Sequence, residues 1–267
     1  MNVVTWKWGT VFGPEYVNRL QSMIERHLHV PHEFICVTDN ATGLSSKVRV
    51  VQPLWQQGPA SSAHCWQRLR MYDARSAEHF GDRFLTIDLD VIVVDDITPL
   101  ITRSEPLVCW RVGYAGVYAG GIVLQNAGEL DGLWQTYSKD PEGFAKRAVI
   151  HASSDQDMLN WYLRHSYGKS IAEWTDADGL ISCYGEARHF FRSRGPVPPQ
   201  PIIRPPGMRL NEWQEFKKKI QEAPIRTFNP GEVMPEVPKG TRIVFVGHRD
   251  KAVMDSKLHP WVQEHWR

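Results

Sequence analysis

The sequence predicts an α/β fold, a mostly parallel central sheet with helices on both faces. Short β-branched runs alternate with helical patterns through the first two-thirds of the chain. That alternation builds parallel sheets covered on both sides. The 267 residues, 42 % hydrophobic and 23 % charged, suffice for one large domain with a full core. The composition excludes a disordered chain.

The elements follow in order. Residues 2–6 (Asn-Val-Val-Thr-Trp) read as the first strand. Residues 14–29 read as a helix, because Val17, Leu20, Ile24 and Leu28 recur at spacings of three and four after Pro14. Strands are expected at 33–38 and 47–51, a helix at 64–79, and strands at 83–88, 106–111 and 118–124. Asn126-Ala-Gly-Glu129 opens a helix toward Tyr137, and Ser153-Ser154-Asp155 caps one running to about His165. Asp95-Asp96 caps the short turn Ile97–Leu100. After Tyr184 the composition shifts: Pro196, Pro198, Pro199, Pro201, Pro205 and Pro206 mark an extended segment. A short helix with Lys217-Lys218-Lys219 follows, and a buried strand resumes at 241–246. No internal repeat is present.

The formal charge of +1 argues against a histone-like or polyanionic protein and says nothing about local patches. Cys36, Cys65, Cys109 and Cys183 form no CxxC pair, which excludes a zinc ribbon and reads as four buried free thiols. The most hydrophobic stretch, 84–97, is interrupted by Asp88, Asp90, Asp95 and Asp96, so no run approaches the ~20 residues of a membrane span. The chain begins at once with a strand and leaves no room for a signal peptide. These features read as a soluble protein, with a cytoplasmic location expected. Eleven Trp residues offer rings of the kind that line sugar or base surfaces as well as cores.

The sharpest chemical feature is Phe84-Leu-Thr-Ile-Asp88-Leu-Asp90-Val. Alternate residues of an extended chain point the same way. Asp88 and Asp90 therefore emerge side by side at the carboxyl end of a buried strand, where open α/β sheets bind ligands. Like charges held close raise each other's pKa unless a cation neutralises them. Mg²⁺ or Mn²⁺ does so with one or two carboxylates, leaving its other positions to diphosphate oxygens. Strand-end aspartates also serve as turn caps.

Ile87-Asp88-Leu-Asp90 resembles the DxD motif of GT-A glycosyltransferases, in particular glycosyltransferase family 8, the glycogenin and lipopolysaccharide galactosyltransferase group. Further segments are similar in the same order. Thr5-Trp-Lys-Trp-Gly9 and Phe34-Ile-Cys-Val-Thr-Asp39 resemble the two strands that border the nucleotide. Trp66-Gln-Arg68-Leu69 resembles the tryptophan-x-lysine-leucine helix, with Arg for Lys. Tyr118 through Asn126 resembles the strand that floors the sugar site, and Ser154-Asp155-Gln156-Asp157 the family's aspartate-glutamine helix start. Gly179–Tyr184 and Ile243-Val-Phe-Val-Gly247 through Lys251, ending in Pro260-Trp261, resemble the closing segments. Two departures stand out: Val246 and then His248 where the family carries Phe-His-Gly, and Ala119 where it often has Asn.

The resemblance implies a GT-A (Rossmann-like) catalytic core over 1–184. A basic Pro-rich insertion at 185–240 would be the acceptor-binding region, and 241–267 would complete the core. It implies Asp88, Asp90 and His248 as ligands of Mn²⁺ or Mg²⁺, and a nucleotide-diphosphate sugar, UDP-sugar foremost, as donor. Thr5, Trp6, Lys7 and Asp39 would border the nucleotide, while Arg68 and Lys251 would contact phosphate. Asp155 and Gln156 would lie by the sugar of a retaining enzyme; at a helix start they equally serve as a cap.

Residues 186–227 hold nine Lys/Arg against four Glu, with Phe190, Phe191 and Trp213 interleaved. Such a long irregular segment is usually functional or disordered. It points to an anionic acceptor, a phosphorylated glycan, lipid headgroups or nucleic acid, including a hydroxymethylated DNA base that would have to leave the duplex, or to a solvated loop. The reaction expected is metal-dependent sugar transfer to a hydroxyl. Two alternatives stay open, a non-catalytic nucleotide-sugar or glycan-binding module on the same fold and a metal-dependent nucleotidyltransferase.

Overall fold

β1 (Asn2–Lys7), β2 (Glu33–Thr38), β3 (Val48–Val51) and β4 (Arg83–Ile87) run parallel in the order β3-β2-β1-β4. β7 (Val117–Asn126) then lies antiparallel to β4, β6 (Leu107–Val112) antiparallel to β7, and β8 (Ala172–Thr175) parallel to β6. The main sheet therefore has seven strands in the order β3-β2-β1-β4-β7-β6-β8. A smaller sheet joins β5 (Val91–Val93), β10 (Ile243–Phe245) and β9 (Ile181–Cys183) in the order β5-β10-β9. This computed structural model describes residues 1–52, 64–112, 117–141, 143–144, 154–175, 178–184, 234, 236–247, 252–255 and 258–267. The Pro-rich stretch, the expected helix at Lys217–Lys219, His248 and Lys251 lie outside the described residues.

The period of two along each strand sends successive side chains to opposite layers. Val3, Cys36, Leu85 and Trp110 pack with α1 (Pro14–His27), the small sheet, α6 (Ala252–Asp255) and α7 (Pro260–His265). Val4, Ile35, Val37, Phe84 and Cys109 face the other way. They pack against the 3-10 helix His64–Tyr72, α2 (Ala77–Phe80), α4 (Asp131–Lys139) and α5 (Asp155–His165). The predicted α/β architecture with both faces covered is thus present. Two polar ties dock the C-terminal helices on α1: Tyr16 Oη and Arg19 bond the Asp255 carboxylate at 2.6 and 2.7 Å, and Arg26 donates to the His265 carbonyl at 2.6 Å.

Several expectations change in detail. The helix expected at 64–79 is broken into the 3-10 helices His64–Tyr72 and Ala74–Ser76 and the short α2. Asp73 adopts an extended ψ of 135° and its carboxylate caps the Arg75 N–H, which stops the first segment. The helix expected from Asn126 begins only at Asp131, because Gly128 takes a positive φ of 78° that a right-handed helix cannot contain. The four thiols are free, but only Cys36 and Cys109 are fully buried, while Cys65 and Cys183 are half-buried. The Asp95-Asp96 cap is present: Asp96 Oδ1 accepts the Thr98 N–H at 2.8 Å and α3 (Thr98–Ile101) follows. No helix among the described residues is long and apolar enough to cross a membrane.

Trp110 joins the two sheets: it is fully buried and its ring centroid lies 5.8 Å from that of Phe245 on β10. Trp110→Ala is expected to lower the free energy of unfolding in a urea titration by about 3–5 kcal/mol. Exposed Val11, changed to Ala, should stay within about 0.5 kcal/mol.

Candidate functional site

The apolar run that begins at Phe84 holds two strands, β4 and β5, and the acidic pair sits where they part. β4 ends at Ile87, whose partner on β7 is Ile122, and the Asp88 N–H still reaches the Gly121 carbonyl at 2.9 Å. Two residues later the chain belongs to the small sheet. The Asp90 carbonyl accepts from Val246 N–H at 2.8 Å and Gly247 N–H at 3.3 Å, and β5 follows. Leu89 between them is buried in the core, while Asp90 interacts electrostatically with Asp88 and Arg68. Every end of the Asp-x-Asp crossing is therefore pinned by backbone.

β7 makes room for the pair. Its pairing with β6 slips between Cys109 and Trp110, whose partners are Val123 and Ala119, so Gly120, Gly121 and Ile122 bulge out of the β6 ladder. A Cβ on Gly121 would stand 2.5 Å from Asp88 Oδ2 and 3.0 Å from the Phe245 ring. Any side chain there displaces the carboxylate, and glycine alone leaves it space.

Arg68, on the 3-10 helix His64–Tyr72, lies buried in the middle of the group. Its guanidinium meets Asp88 Oδ1 at 2.7 Å and Asp155 Oδ2 at 3.4 Å. It also donates to the Gly120 carbonyl at 2.7 Å. Burial alone lowers its pKa, but Asp88 and Asp155 outweigh that and raise it, so the cation is held. Asp155 opens α5, and its carboxylate accepts from backbone N–H groups of that first turn as well as facing Arg68. Ser154 accepts from the Asp157 N–H and Asp157 returns a bond to the Ser154 N–H, a complete capping box. Beside that box, Asp155 pairs with Arg68 and Gln156 Oε1 accepts the Gly120 N–H at 3.2 Å. Asp155 and Gln156 thus reach Arg68 and β7 in addition to standing at the helix start.

The cluster is short of positive charge. Asp88, Asp90 and Asp155 face one guanidinium, and burial pushes two of them up: Asp90 to about 7 through desolvation and then Asp88, and Asp155 upward through desolvation, against the pull of Arg68. One divalent cation would balance the remaining two negative charges, and hard carboxylate oxygens are the donors that Mg²⁺ and Mn²⁺ take. Asp88 and Asp90 fit that role, with the Gly121 gap beside them. Among the described residues no group of three His, Cys, Asp or Glu side chains is arranged as a metal cage. Cys65, beside Asp155, is held as a thiol, its pKa pushed up to about 11 by burial and then by that carboxylate.

The remaining candidates lie at the ends of the next two strands, β1 and β2. Thr5, Trp6 and Lys7 are buried at the end of β1, and Asp39 is exposed just after β2. Trp6 also lines a cavity of about 140 Å³ with Val37, Val51, Arg70 and Phe80; Asp88, Asp90 and Asp155 are not among its walls. One residue escaped the sequence reading. Asn160 is buried on α5 and bonded to the backbone of Tyr118. A buried polar residue one helical turn after Gln156 is the signal that marks it.

Comparison with known proteins adds little. No family model matches the chain, and neither does any curated protein. Among solved structures the chain is similar to an active-site mutant of LgtC in which a glutamine is replaced by glutamate. The identity is 15 % and the TM-score 0.46, over 68 % of this chain and 75 % of that one.

The strain on Asp90 has a measurable sign. With its folded pKa raised above the ordinary carboxylate value, the native state holds a proton that the unfolded state has released. Stability therefore falls as pH rises from about 4 to about 7. In the presence of EDTA, Asp90→Asn should raise the melting temperature at pH 8 and do so less at pH 5. An equal or lower melting temperature at pH 8 would contradict the buried-charge reading.

Proposed function

We propose that the protein is a metal-dependent glycosyltransferase, which moves a sugar from a nucleotide-diphosphate sugar, foremost a UDP-sugar, to a hydroxyl acceptor with retention. The observation that carries this reading is the convergence of two chain segments. The Asp88–Asp90 crossing and the Asp155–Gln156 helix start meet at Gly120–Gly121 and share Arg68. The resemblance of these segments to the family's motifs, in the same order along the chain, agrees with it.

In this reading Asp88 and Asp90 hold the cation, which when bound supplies Lewis-acid neutralisation of the departing diphosphate. Arg68 keeps Asp88 and Asp155 at fixed positions and contributes positive charge to the same region. Asp155 and Gln156 face the sugar, Asp155 as the carboxylate that balances positive charge developing at the anomeric carbon. Thr5, Trp6, Lys7 and Asp39, at the ends of β1 and β2, border the nucleotide. His248 and Lys251 remain proposed contacts of metal and phosphate. The excess of five positive charges over 186–227 makes an anionic acceptor, a phosphorylated glycan or a hydroxymethylated base, the class to try first.

The test is a panel of nucleotide sugars with Mn²⁺, with and without EDTA, read as release of nucleoside diphosphate. Release that EDTA abolishes is expected, with Asp88→Asn and Asp90→Asn each lowering turnover by about 10²-fold or more. Pyrophosphate release from nucleoside triphosphates would favour a nucleotidyltransferase instead. Binding of a nucleotide sugar without turnover of any acceptor or water would favour a binding module. A companion variant probes the Gly121 gap: Gly121→Ala, whose Cβ would meet the Asp88 carboxylate, should weaken Mn²⁺ binding at least tenfold.

A further inference from the structure

The point at which β4 ends leaves an edge to be filled. β4 pairs with β7 only as far back as Ile87–Ile122, with the Asp88–Gly121 bond beyond it. Residues 118–120 of β7 have therefore lost their neighbour on that side. In a strand the N–H and C=O of alternate residues point to the same edge, so Tyr118 and Gly120 present their backbone groups together. Buried backbone groups must find partners.

Helix α5 supplies them through one face. Asn160 Oδ1 accepts the Tyr118 N–H at 2.8 Å, and its Nδ2 donates to the Tyr118 carbonyl at 2.8 Å. One turn earlier, Gln156 Oε1 accepts the Gly120 N–H at 3.2 Å. The second Nδ2 hydrogen of Asn160 goes to the Gln156 carbonyl at 2.8 Å. The backbone dictates this orientation of the amide, since the Tyr118 N–H can only donate and both carbonyls can only accept. Asn160 is buried, and both donors and the acceptor are used. Its amide pairs with Tyr118 as a neighbouring strand would.

We propose that Asn160 is a positioning residue. By standing in for the missing strand it holds the first turn of α5 in register on β7, and so sets Gln156 against Gly120 and Asp155 against Arg68. The proposal rests on the glycosyltransferase reading for its consequence in catalysis, but not for its geometry. Asp at position 160 has the same shape and can still accept from Tyr118, yet it sets a carboxylate oxygen against two carbonyls. A residue that misplaces reacting groups by about 1 Å can cost about 10²-fold in rate. Diphosphate binding, which the reading assigns to Asp88 and Asp90, does not pass through Asn160.

The experiment compares wild type, Asn160→Asp and the milder Asn160→Ser in the full chain. Amide hydrogen exchange is read by NMR at Tyr118, Gly120 and Leu124. Alongside it, kcat is measured with the donor found in the panel, and UDP binding in Mn²⁺ by calorimetry. The expected result is exchange at Tyr118 and Gly120 faster by tenfold or more, with Leu124 further along the strand unchanged. With it, kcat should fall about 10²-fold in Asn160→Asp and less in Asn160→Ser, with UDP affinity within about twofold of wild type. Gly120 exchange that stays at the wild-type rate, or rises only in step with Leu124, overturns the proposal; so does an unchanged kcat. Should wild type turn over no donor, the glycosyltransferase reading falls, and Gly120 exchange still decides the role of Asn160. Should Asn160→Asp fail to fold, Asn160→Ser is judged by the same exchange criterion.

Discussion

A single buried guanidinium ties the site together. Arg68 reaches the end of β4 through Asp88, the start of α5 through Asp155 and the bulge of β7 through the Gly120 carbonyl. Removing one partner from a buried ion pair leaves an uncompensated charge and typically costs about 3–5 kcal/mol. The three segments are thus bound to one another by electrostatics as well as by packing. Yet Arg68 cannot satisfy three acids. The raised pKa values of Asp90 and Asp155 express the charge that remains, and a divalent cation is the species that would complete the balance.

The sheet explains why these groups meet here. An uninterrupted β4 would have continued beside β7 and buried Asp88 in a ladder. Instead the chain crosses to a second sheet, anchored by the Val246 and Gly247 amides on Asp90. The strand opposite bulges through two glycines at the same height. The crossing leaves the Asp88 side chain partly exposed and keeps Asp90 buried. Side chains of α5 then close the edge that the departing strand leaves open. The geometry proposed for sugar transfer is a consequence of this break in the sheet.

Much of this was legible in the sequence, and for identifiable reasons. β1, β2 and β4 are short β-branched and apolar runs, and α1 shows its stripe at Val17, Leu20 and Ile24, so local pattern and tertiary burial agree. The acidic pair was legible because a buried strand that ends in two carboxylates violates the pattern around it. The small sheet was not, because β5 has three residues and merges with β4 into one apolar run, and its partners β9 and β10 are equally short. For Arg68, expected at phosphate, the sequence shows a cation two residues after Trp66 but not the two carboxylates that pair with its guanidinium. Asn160 was missed because its partners are backbone atoms of a strand 42 residues away, and such pairing leaves no residue pattern.

The central claim is that the carboxylates of the crossing form one site for a divalent cation. Calorimetric titration of Mn²⁺ into the wild-type chain and into the Asp88→Asn/Asp90→Asn variant, in the presence of UDP, tests it most directly. One ion per chain bound by wild type and none at the same concentrations by the variant is the predicted result. Equal binding by both proteins would contradict it.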